Sequence, residues 1–381
     1  MQLNDSMQTE ELLPSDRHFL MGLAQESTRP PELPEYFSVG NCMEGLGLIT
    51  EHIYGVRLVV TAAEPGEIWH PDVVKLVAHH ATEGVLGTIY CDLFARPDKN
   101  LGAAQYTLQT GRRVVPPPPA KATYQNPIVA LVCGFQPAVD QGYTNQEPAL
   151  LSMSEVETLF HEAGHALHSM FGRTRFQTVA GTRCSLDFVE LPSMLMEFFV
   201  RDFRVVSQFA YHHATGAPLS QELFERGIQA QDLFPAVGMA DSAVHAEVDQ
   251  RYHSELVSSG EEEATAVLRG VQDEYTELKF CGTALQYRFS HLSGYAASYY
   301  SYLWCKGLAA LIWTTSFMDD PLSRTAGDLY RKKVLAYGSA RDPWLMVEDV
   351  LGYKPTPEDV VDGLIKVEFG YDKKEKTSRT P

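Results

Sequence analysis

The sequence has few cysteines, and none of them are closely paired. Six cysteines are spread over 381 residues, and no two of them form a C-x-x-C motif. A disulfide scaffold needs a denser set and a cysteine zinc knuckle needs close pairs, so neither is indicated. A reducing compartment fits this cysteine usage best.

Basic residues and long apolar runs are also scarce. Lys and Arg number 31 against 49 Asp and Glu, which gives a formal net charge of -18. This balance excludes a general nucleic-acid binder, because such affinity comes from phosphate contacts. The longest apolar stretches, residues 127–135 and 308–313, fall short of the roughly 18 residues that a membrane helix needs. We therefore expect no nucleic-acid partner and no transmembrane span.

The first 13 residues lack the character of a sorting signal. They carry Asp5, Glu10 and Glu11, whereas a transit peptide is poor in acids and a secretion signal has an apolar core. We expect either that no sorting signal exists or that the chain starts downstream of one.

The composition is that of a globular protein. Hydrophobic residues make up 44% of the chain, which is enough for a sizeable core. Residues 1–35 are polar and include Pro30 and Pro31, which indicates a short helix followed by an extended connector. Residues 36–365 are predicted to form the folded domain, and the charged residues 366–381 are predicted to be a disordered tail.

Within the folded domain, helical and strand-like patterns alternate. The apolar spacing of residues 36–59 is helical, as is nearly all of the sequence from residue 152 to about residue 365. Between them, three segments have the composition of strands and are separated by Pro, Gly and Asp loops. These segments are residues 87–94, 104–108 and 128–133. The prediction is a mainly α-helical protein with a small β-sheet near residues 85–135.

One motif, H-E-A-G-H from His161 to His165, points to metal chemistry. It lies in a segment with helical periodicity, residues 154–171, which Gly172 closes as a C-cap. Residues i and i+4 share a helix face, so both imidazoles can reach one Zn²⁺ at about 2.0–2.1 Å. Glu162 projects to the side on which the attacking water lies and can take its proton.

The pentapeptide gains weight from its context. An H-E-x-x-H sequence arises by chance in roughly a few per cent of chains of this composition. Here Ser154 and Glu157 form a capping box that starts a helix. The motif requires a helix, because its two histidines must share one face. We therefore interpret the motif as functional.

The third ligand of such a zinc is open at this point. His168 shares a face with His161, but one metal would have to span two helical turns, roughly 10 Å, which strains tetrahedral geometry. Glu190 and Glu197 are better candidates, since they share a face of a second helix over residues 187–197. Two acids on an amphipathic helix are by themselves more often solvated than bound to a metal.

Four segments occur in an order that is typical of one enzyme family. They are residues 160–168 around H-E-A-G-H, 181–183 (G-T-R), 187–193 (D-F-V-E-L-P-S) and 291–303 (H-L-S-G-Y-A-A-S-Y-Y-S-Y-L). Together they resemble the thimet oligopeptidase family of zinc metallopeptidases. Supporting segments are residues 36–46, 87–99 and 169–175, so the resemblance covers roughly residues 36–360.

The resemblance implies roles for the acidic residues. Glu190 is the third zinc ligand, and Glu162 is the general base. Asp187 and Glu197 support the ligands. Glu157, one turn before the first imidazole, either orients that ring or serves the capping box alone. One Zn²⁺ per chain is the implied cofactor.

The resemblance also implies roles for an aromatic segment. Tyr295, Tyr299 and Tyr302 are spaced i, i+4 and i+7, a stripe that by itself is more often core packing than chemistry. In the family, similar tyrosines and the histidine before them hydrogen-bond the oxyanion at the scissile carbonyl. Carried over, His291, Tyr295 and Tyr302 stabilise the transition state and Tyr299 positions the substrate. One such donor is worth about 3–4 kcal/mol.

The implied protein is a zincin-type helical metalloendopeptidase. We expect it to correspond to the catalytic half of family members and to lack their N-terminal channel-wall domain. In the mitochondrial branch of the family the substrates are N-terminal octapeptides of imported precursors, and an acidic chain suits basic presequences. We expect a monomer that cleaves peptides or unfolded presequences in the mitochondrial matrix, with the cytoplasm as the alternative. A second hypothesis is a truncated zinc- and peptide-binding product with weak or no catalysis.

Overall fold

The computed structural model describes residues 13–100, 102–115, 119, 121–138, 148–260, 263–276 and 284–369. The chain divides into two compact units. One unit combines Met1–Arg29 with Arg226–Leu303, and the other combines Pro30–Glu225 with Trp304–Pro381. The predicted catalytic domain of residues 36–365 stays a prediction.

Among the described residues of the unit of residues 30–225 and 304–381, seven strands are present. They are β1 (Val56–Val60), β2 (Val74–His80), β3 (Gly84–Phe94), β4 (Ala104–Gln109), β5 (Arg112–Val114), β6 (Thr123–Gln125) and β7 (Ile128–Phe135). Five of them form one sheet in the order β1-β2-β3-β7-β4, in which only β3 and β7 run parallel. Strands β5 and β6 pair separately. Strand β4 is therefore an edge of the main sheet.

Helices make up most of the remaining described residues. In chain order they are α1 (Pro14–Thr28), α2 (Val39–Tyr54), α3 (Met153–Phe171), α4 (Leu186–Val189), α5 (Leu191–Val200), α6 (Phe203–Val206), α7 (Gln221–Gln231), α8 (Pro235–Tyr252), α9 (Glu255–Ser258), α10 (Ala264–Tyr275), α11 (His291–Gly294), α12 (Ser301–Ile312), α13 (Arg324–Lys333), α14 (Pro343–Leu351) and α15 (Pro357–Phe369). In the part of the chain that is described, no helix is both long and apolar enough to cross a membrane.

The mainly helical fold with a small mixed sheet is confirmed, but one predicted helix was too long. The helical spacing of residues 36–59 holds only as far as Tyr54. Gly55 then takes a left-handed conformation with φ 68°, which ends α2, and V-R-L-V-V continues as β1. A short apolar run does not distinguish a strand from a helix by periodicity alone. The sheet consequently begins about 30 residues earlier than predicted.

The two ends of the chain are described in part. Helix α1 and a 3₁₀ turn at Leu33–Tyr36 fall within the predicted polar connector. Helix α15 runs to Phe369, four residues into the predicted tail of residues 366–381. The remainder of that tail, residues 370–381, lies outside the described residues.

The metal-motif helix α3 begins at a capping box of Ser152 and Glu155. The Glu155 backbone N–H donates to Ser152 Oγ at 3.4 Å, and the Ser152 N–H donates to Glu155 Oε2 at 2.8 Å. The predicted box of Ser154 and Glu157 was wrong by two residues, because S-M-S-E-V-E contains the S-x-x-E spacing twice. The helix packs against α5 and against β3, β4 and β7, so its motif lies between a helix and the sheet.

A buried carboxylate on β3 ties the sheet to the loop that follows it. Asp92 is 3% exposed and accepts hydrogen bonds from Arg96 Nη1 at 2.6 Å, Lys99 Nζ at 2.9 Å and Trp69 Nε1 at 2.8 Å. Burial by itself raises the pKa of Asp92, but the hydrogen bonds from Arg96, Lys99 and Trp69 outweigh it and hold that pKa well below its usual range.

Asp92→Asn is expected to lower the free energy of unfolding at pH 7 by about 3 kcal/mol, because it leaves two cations without their buried partner. A depressed carboxylate pKa stabilises the fold above the unfolded value of about 3.9 and ceases to do so as the pH falls through the folded value. The difference between variant and wild type should therefore shrink below about pH 4 in urea unfolding curves. Asp72→Asn, on an exposed side chain, is the control and should change stability little. Equal effects of the two variants would contradict the role of Asp92.

Candidate active site

Three of the predicted ligands converge in the unit of residues 30–225 and 304–381. His161 and His165 lie one turn apart on α3, and Glu190 lies at the junction of α4 and α5. Glu190 Oε2 is 3.2 Å from His161 Nε2 and 3.2 Å from His165 Nε2. All three donor atoms lie within 4.8 Å of one another.

These separations fit a single zinc ion. Zn–N and Zn–O bonds of about 2.0–2.2 Å at tetrahedral angles separate two ligand atoms by about 3.3–3.5 Å. The 3.2 Å distances from Glu190 to each imidazole are close to that value. Two imidazoles and one carboxylate also form the donor set of catalytic zinc sites that keep a fourth position open.

The short distances depend on a close approach of α3 and α5. A Cβ atom on Gly164 would lie 2.6 Å from Ser193 Cα and 2.7 Å from the Pro192 carbonyl oxygen, so only glycine allows this contact. Ser193 then donates its hydroxyl to Glu190 Oε2 at 3.1 Å and to the Glu190 carbonyl at 2.8 Å. Neither Gly164 nor Ser193 was predicted from the sequence. The sequence features that could have indicated them are the glycine inside the H-E-x-x-H motif and the serine three residues after Glu190.

Glu197 supports the first imidazole from behind. Its Oε1 is 2.6 Å from His161 Nδ1, the ring nitrogen opposite the one that faces Glu190. Ligating histidines usually use their second nitrogen in this way, which fixes the ring orientation and the tautomer. Burial alone lowers the pKa of His161, but the hydrogen bonds to Glu190 and Glu197 outweigh it and raise that pKa to about 10.

Glu162 lies beside this cluster at the edge of the sheet. It is 7% exposed, and burial raises its pKa, opposed by the charges of the two histidines. The backbone N–H of Gln105 on edge strand β4 donates to its carboxylate. A buried carboxylate with a raised pKa is suited to accept and return a proton near neutral pH.

Comparison with known proteins identifies the family. The sequence model of peptidase family M3 matches residues 3–364 of this chain. The chain belongs to peptidase family M3. The family predicted from the spaced motifs is thereby confirmed.

Relatives in the M3 family include mitochondrial intermediate peptidases. The human protein is 39% identical over 369 residues, which are 96% of this chain and 50% of that protein. The Saccharomyces cerevisiae protein is 36% identical over 372 residues, covering 90% of this chain and 47% of that protein. The chain thus spans about half the length of these relatives. The M32 carboxypeptidase of Deinococcus radiodurans R1 shares the fold, with a TM-score of 0.50 at 11% identity over 95% of this chain and 68% of that one.

Three other predicted site residues lie apart from the convergent ligands of this M3 chain. His168 is completely buried, and burial lowers its pKa to about 3, so its ring is neutral; it does not belong to the ligand group. Glu157 pairs with Arg201 Nη1 at 2.7 Å, and Glu197 instead occupies the position behind His161. The Asp187 backbone carbonyl accepts a hydrogen bond from Cys305 Sγ at 3.2 Å.

The predicted aromatic residues gather in the unit of residues 1–29 and 226–303. Tyr295 and Tyr299 lie between α11 and α12, so the three tyrosines do not form one helical stripe. The His291 ring nevertheless lies 5.6 Å from Tyr295, 5.4 Å from Tyr299 and 6.0 Å from Tyr302 between centroids. We call His291, Tyr295, Tyr299 and Tyr302 the tyrosine cluster.

The tyrosine cluster has two neighbours that the sequence analysis missed. The Tyr299 ring contacts Phe289 at 4.8 Å and His245 at 5.8 Å, and His245 lies on α8. Burial lowers the pKa of His245, assisted by the charge of His291. No local pattern connects α8 to residues 291–302, so only the fold reveals this contact.

A second group of ligand-type atoms is better explained by hydrogen bonds. His212 Nε2 and His213 Nε2 lie 3.3 and 3.2 Å from Glu35 Oε2. The Ala214 backbone N–H donates to His212 Nδ1 at 3.2 Å, which assigns the proton of the neutral ring to Nε2. That proton points to Glu35, so hydrogen bonds account for this group, and they tie two segments of the chain together.

Glu197→Gln is expected to weaken zinc binding by about 10–100-fold, because the neutral amide no longer fixes the tautomer and basicity of His161. Competition with a chromogenic chelator measures the affinity. Glu157→Gln is the matched control, because it also removes one negative charge. Glu157 lies on α3 and pairs with Arg201, so zinc affinity should stay unchanged. A loss in the control as large as that in Glu197→Gln would contradict the assignment.

Proposed function

We propose that this chain carries the catalytic centre of a zinc metalloendopeptidase. The observation that carries the proposal is the convergence of His161, His165 and Glu190, in which Glu190 Oε2 lies 3.2 Å from each imidazole and all three ligand atoms lie within 4.8 Å of one another. Glu162 lies directly beside them, and the chain belongs to a peptidase family. His161, His165 and Glu190 would hold one Zn²⁺.

The residues of the chain provide the proton transfers of peptide hydrolysis. Zinc, when bound, supplies a Lewis acid for the scissile carbonyl. A carboxylate oxygen of Glu162 accepts the proton of the attacking water and returns it to the leaving nitrogen. The raised pKa of Glu162 favours acceptance of the proton from water, and the Gln105 N–H keeps its carboxylate oriented at the sheet edge.

The tyrosine cluster is proposed to stabilise the oxyanion. His291, Tyr295 and Tyr302 offer N–H and O–H donors, and their rings lie within about 6 Å of one another, as aromatic neighbours do. Tyr299, in the same cluster, is proposed to position the substrate. Removal of one oxyanion donor in an enzyme typically lowers kcat by about 10²–10³-fold.

The substrates are proposed to be peptides and unfolded presequences, with removal of N-terminal octapeptides from imported mitochondrial precursors. Relatives named mitochondrial intermediate peptidase support this assignment and the mitochondrial matrix as the location, with the cytoplasm as the alternative. The net charge of -18 favours basic peptides. The monomeric state stays a prediction.

Glu162→Gln tests the proposal directly. The amide cannot accept the proton, so cleavage of a quenched presequence-like peptide should fall by at least about 10²–10⁴-fold while zinc stays bound. Metal content is determined on the same samples, and wild-type cleavage should stop when a chelator is added. Retained activity in the variant would contradict the role of Glu162.

The same assay distinguishes the proposed peptidase from a second candidate function. The alternative is a zinc- and peptide-binding protein with weak or no turnover. Wild-type protein that binds one zinc per chain and binds the peptide without cleaving it would support this alternative. Chelator-sensitive cleavage would exclude it.

A further inference from the structure

The segment between α11 and α12 has an unfavourable backbone conformation. Ala297 adopts φ 60°, in the left-handed region that residues with a Cβ atom rarely enter. Among the described non-glycine residues, only Asp98 shares a positive φ, and an aspartate tolerates this region through local hydrogen bonds. Alanine has no such side chain, so contacts from outside the turn must hold it in place.

A buried carboxylate on α8 supplies two of those contacts. Asp249 is 0% exposed, and its Oδ1 accepts the Ala297 N–H at 3.1 Å while its Oδ2 accepts the Tyr299 N–H at 2.9 Å. His253 Nδ1 lies 3.1 Å from the same Oδ1. One side chain therefore binds two backbone amides on either side of Ser298.

The chemistry of this contact is specific to a carboxylate. A charged acceptor makes shorter and stronger hydrogen bonds than a neutral one, and both oxygens of an aspartate accept. An asparagine in its place keeps one acceptor but presents N–H groups to the second amide. Burying a charge is costly unless it is paired in this way, so a neutral residue would be the simpler choice if packing were the only requirement.

The turn also determines where the tyrosine cluster lies. The Tyr299 ring, whose own N–H is bound by Asp249, contacts His291 at 5.4 Å and Tyr302 at 5.3 Å. We propose that Asp249 is a positioning residue, whose carboxylate holds the left-handed turn at Ala297 and so aligns the tyrosine cluster for catalysis. The catalytic consequence rests on the proposed peptidase function, whereas the alignment itself does not.

The test is Asp249→Asn in the full 381-residue chain. Hydrogen exchange measured by mass spectrometry should be at least about 10-fold faster over residues 291–303, because the Ala297 and Tyr299 amides lose protection, and unchanged over α3. With zinc bound and a quenched presequence-like peptide as substrate, kcat should fall by about 100-fold. KM should stay within about threefold, a separation that general destabilisation does not produce.

The matched control is Glu247→Gln, which removes the same charge two residues earlier on α8 from a side chain that pairs with Arg251. It should change neither exchange nor kcat. Unchanged exchange in Asp249→Asn, or faster exchange with wild-type kcat, would overturn the proposal. If wild-type protein binds zinc and does not cleave the peptide, the proposed function fails, and the exchange result alone still decides whether Asp249 holds the turn.

Two further variants act on the turn itself. Glycine adopts φ 60° without strain, so Ala297→Gly added to Asp249→Asn should recover at least about 10-fold in kcat. Ala297→Val keeps the carboxylate but opposes the turn, since a β-branched residue avoids this region, and should reproduce the loss of kcat with KM kept. The valine variant also serves if Asp249→Asn does not fold. No recovery with glycine, or wild-type kcat with valine, would refute a role through the turn.

Discussion

The contact between α3 and α5 at Gly164 is the constraint on which the metal centre depends. It brings the backbone of Pro192 and Ser193 against the motif helix, and the Glu190 carboxylate follows because it begins the same helix. A side chain at position 164 would push the helices apart, and each imidazole would lose its 3.2 Å distance to Glu190. The central glycine of H-E-A-G-H is therefore a packing requirement of the ligand geometry.

The charge balance of the centre explains why a dication suits it. Three carboxylates, those of Glu162, Glu190 and Glu197, surround two histidines, and the first two are buried. The hydrogen bonds from His161 to Glu190 and Glu197 raise the pKa of this histidine, so positive charge is favoured at this place. A divalent ion supplies more charge at the same place and leaves His161 neutral, as ligation requires. Binding of the proposed zinc would therefore release a proton from this centre.

The sequence predicted the part of the centre that depends on local spacing. His161, Glu162 and His165 follow from the 3.6-residue period of one helix, and this period does not depend on the rest of the fold. The choice among His168, Glu190 and Glu197 was not decidable from the residues, because it depends on how a second helix packs. The same applies to β1, where a five-residue, mostly apolar segment became a strand only because Gly55 ends the helix before it.

Each unit contains a buried carboxylate at its candidate functional residues, Asp249 in one and Glu190 in the other. The hydrogen-bond partners of these two carboxylates explain why their roles differ. Asp249 accepts two backbone amides, which are permanent donors at every pH, so its contacts stabilise a turn without any ligand. Glu190 instead faces two imidazoles, whose protons a metal can displace. Asp249, surrounded by amides, is thus an anchor, whereas Glu190, which faces the two imidazoles of the H-E-x-x-H motif, is proposed to bind a metal. Sequence alone does not separate the two, because both are single acids in helical segments, and the distinction depends on the donors that the fold brings to each.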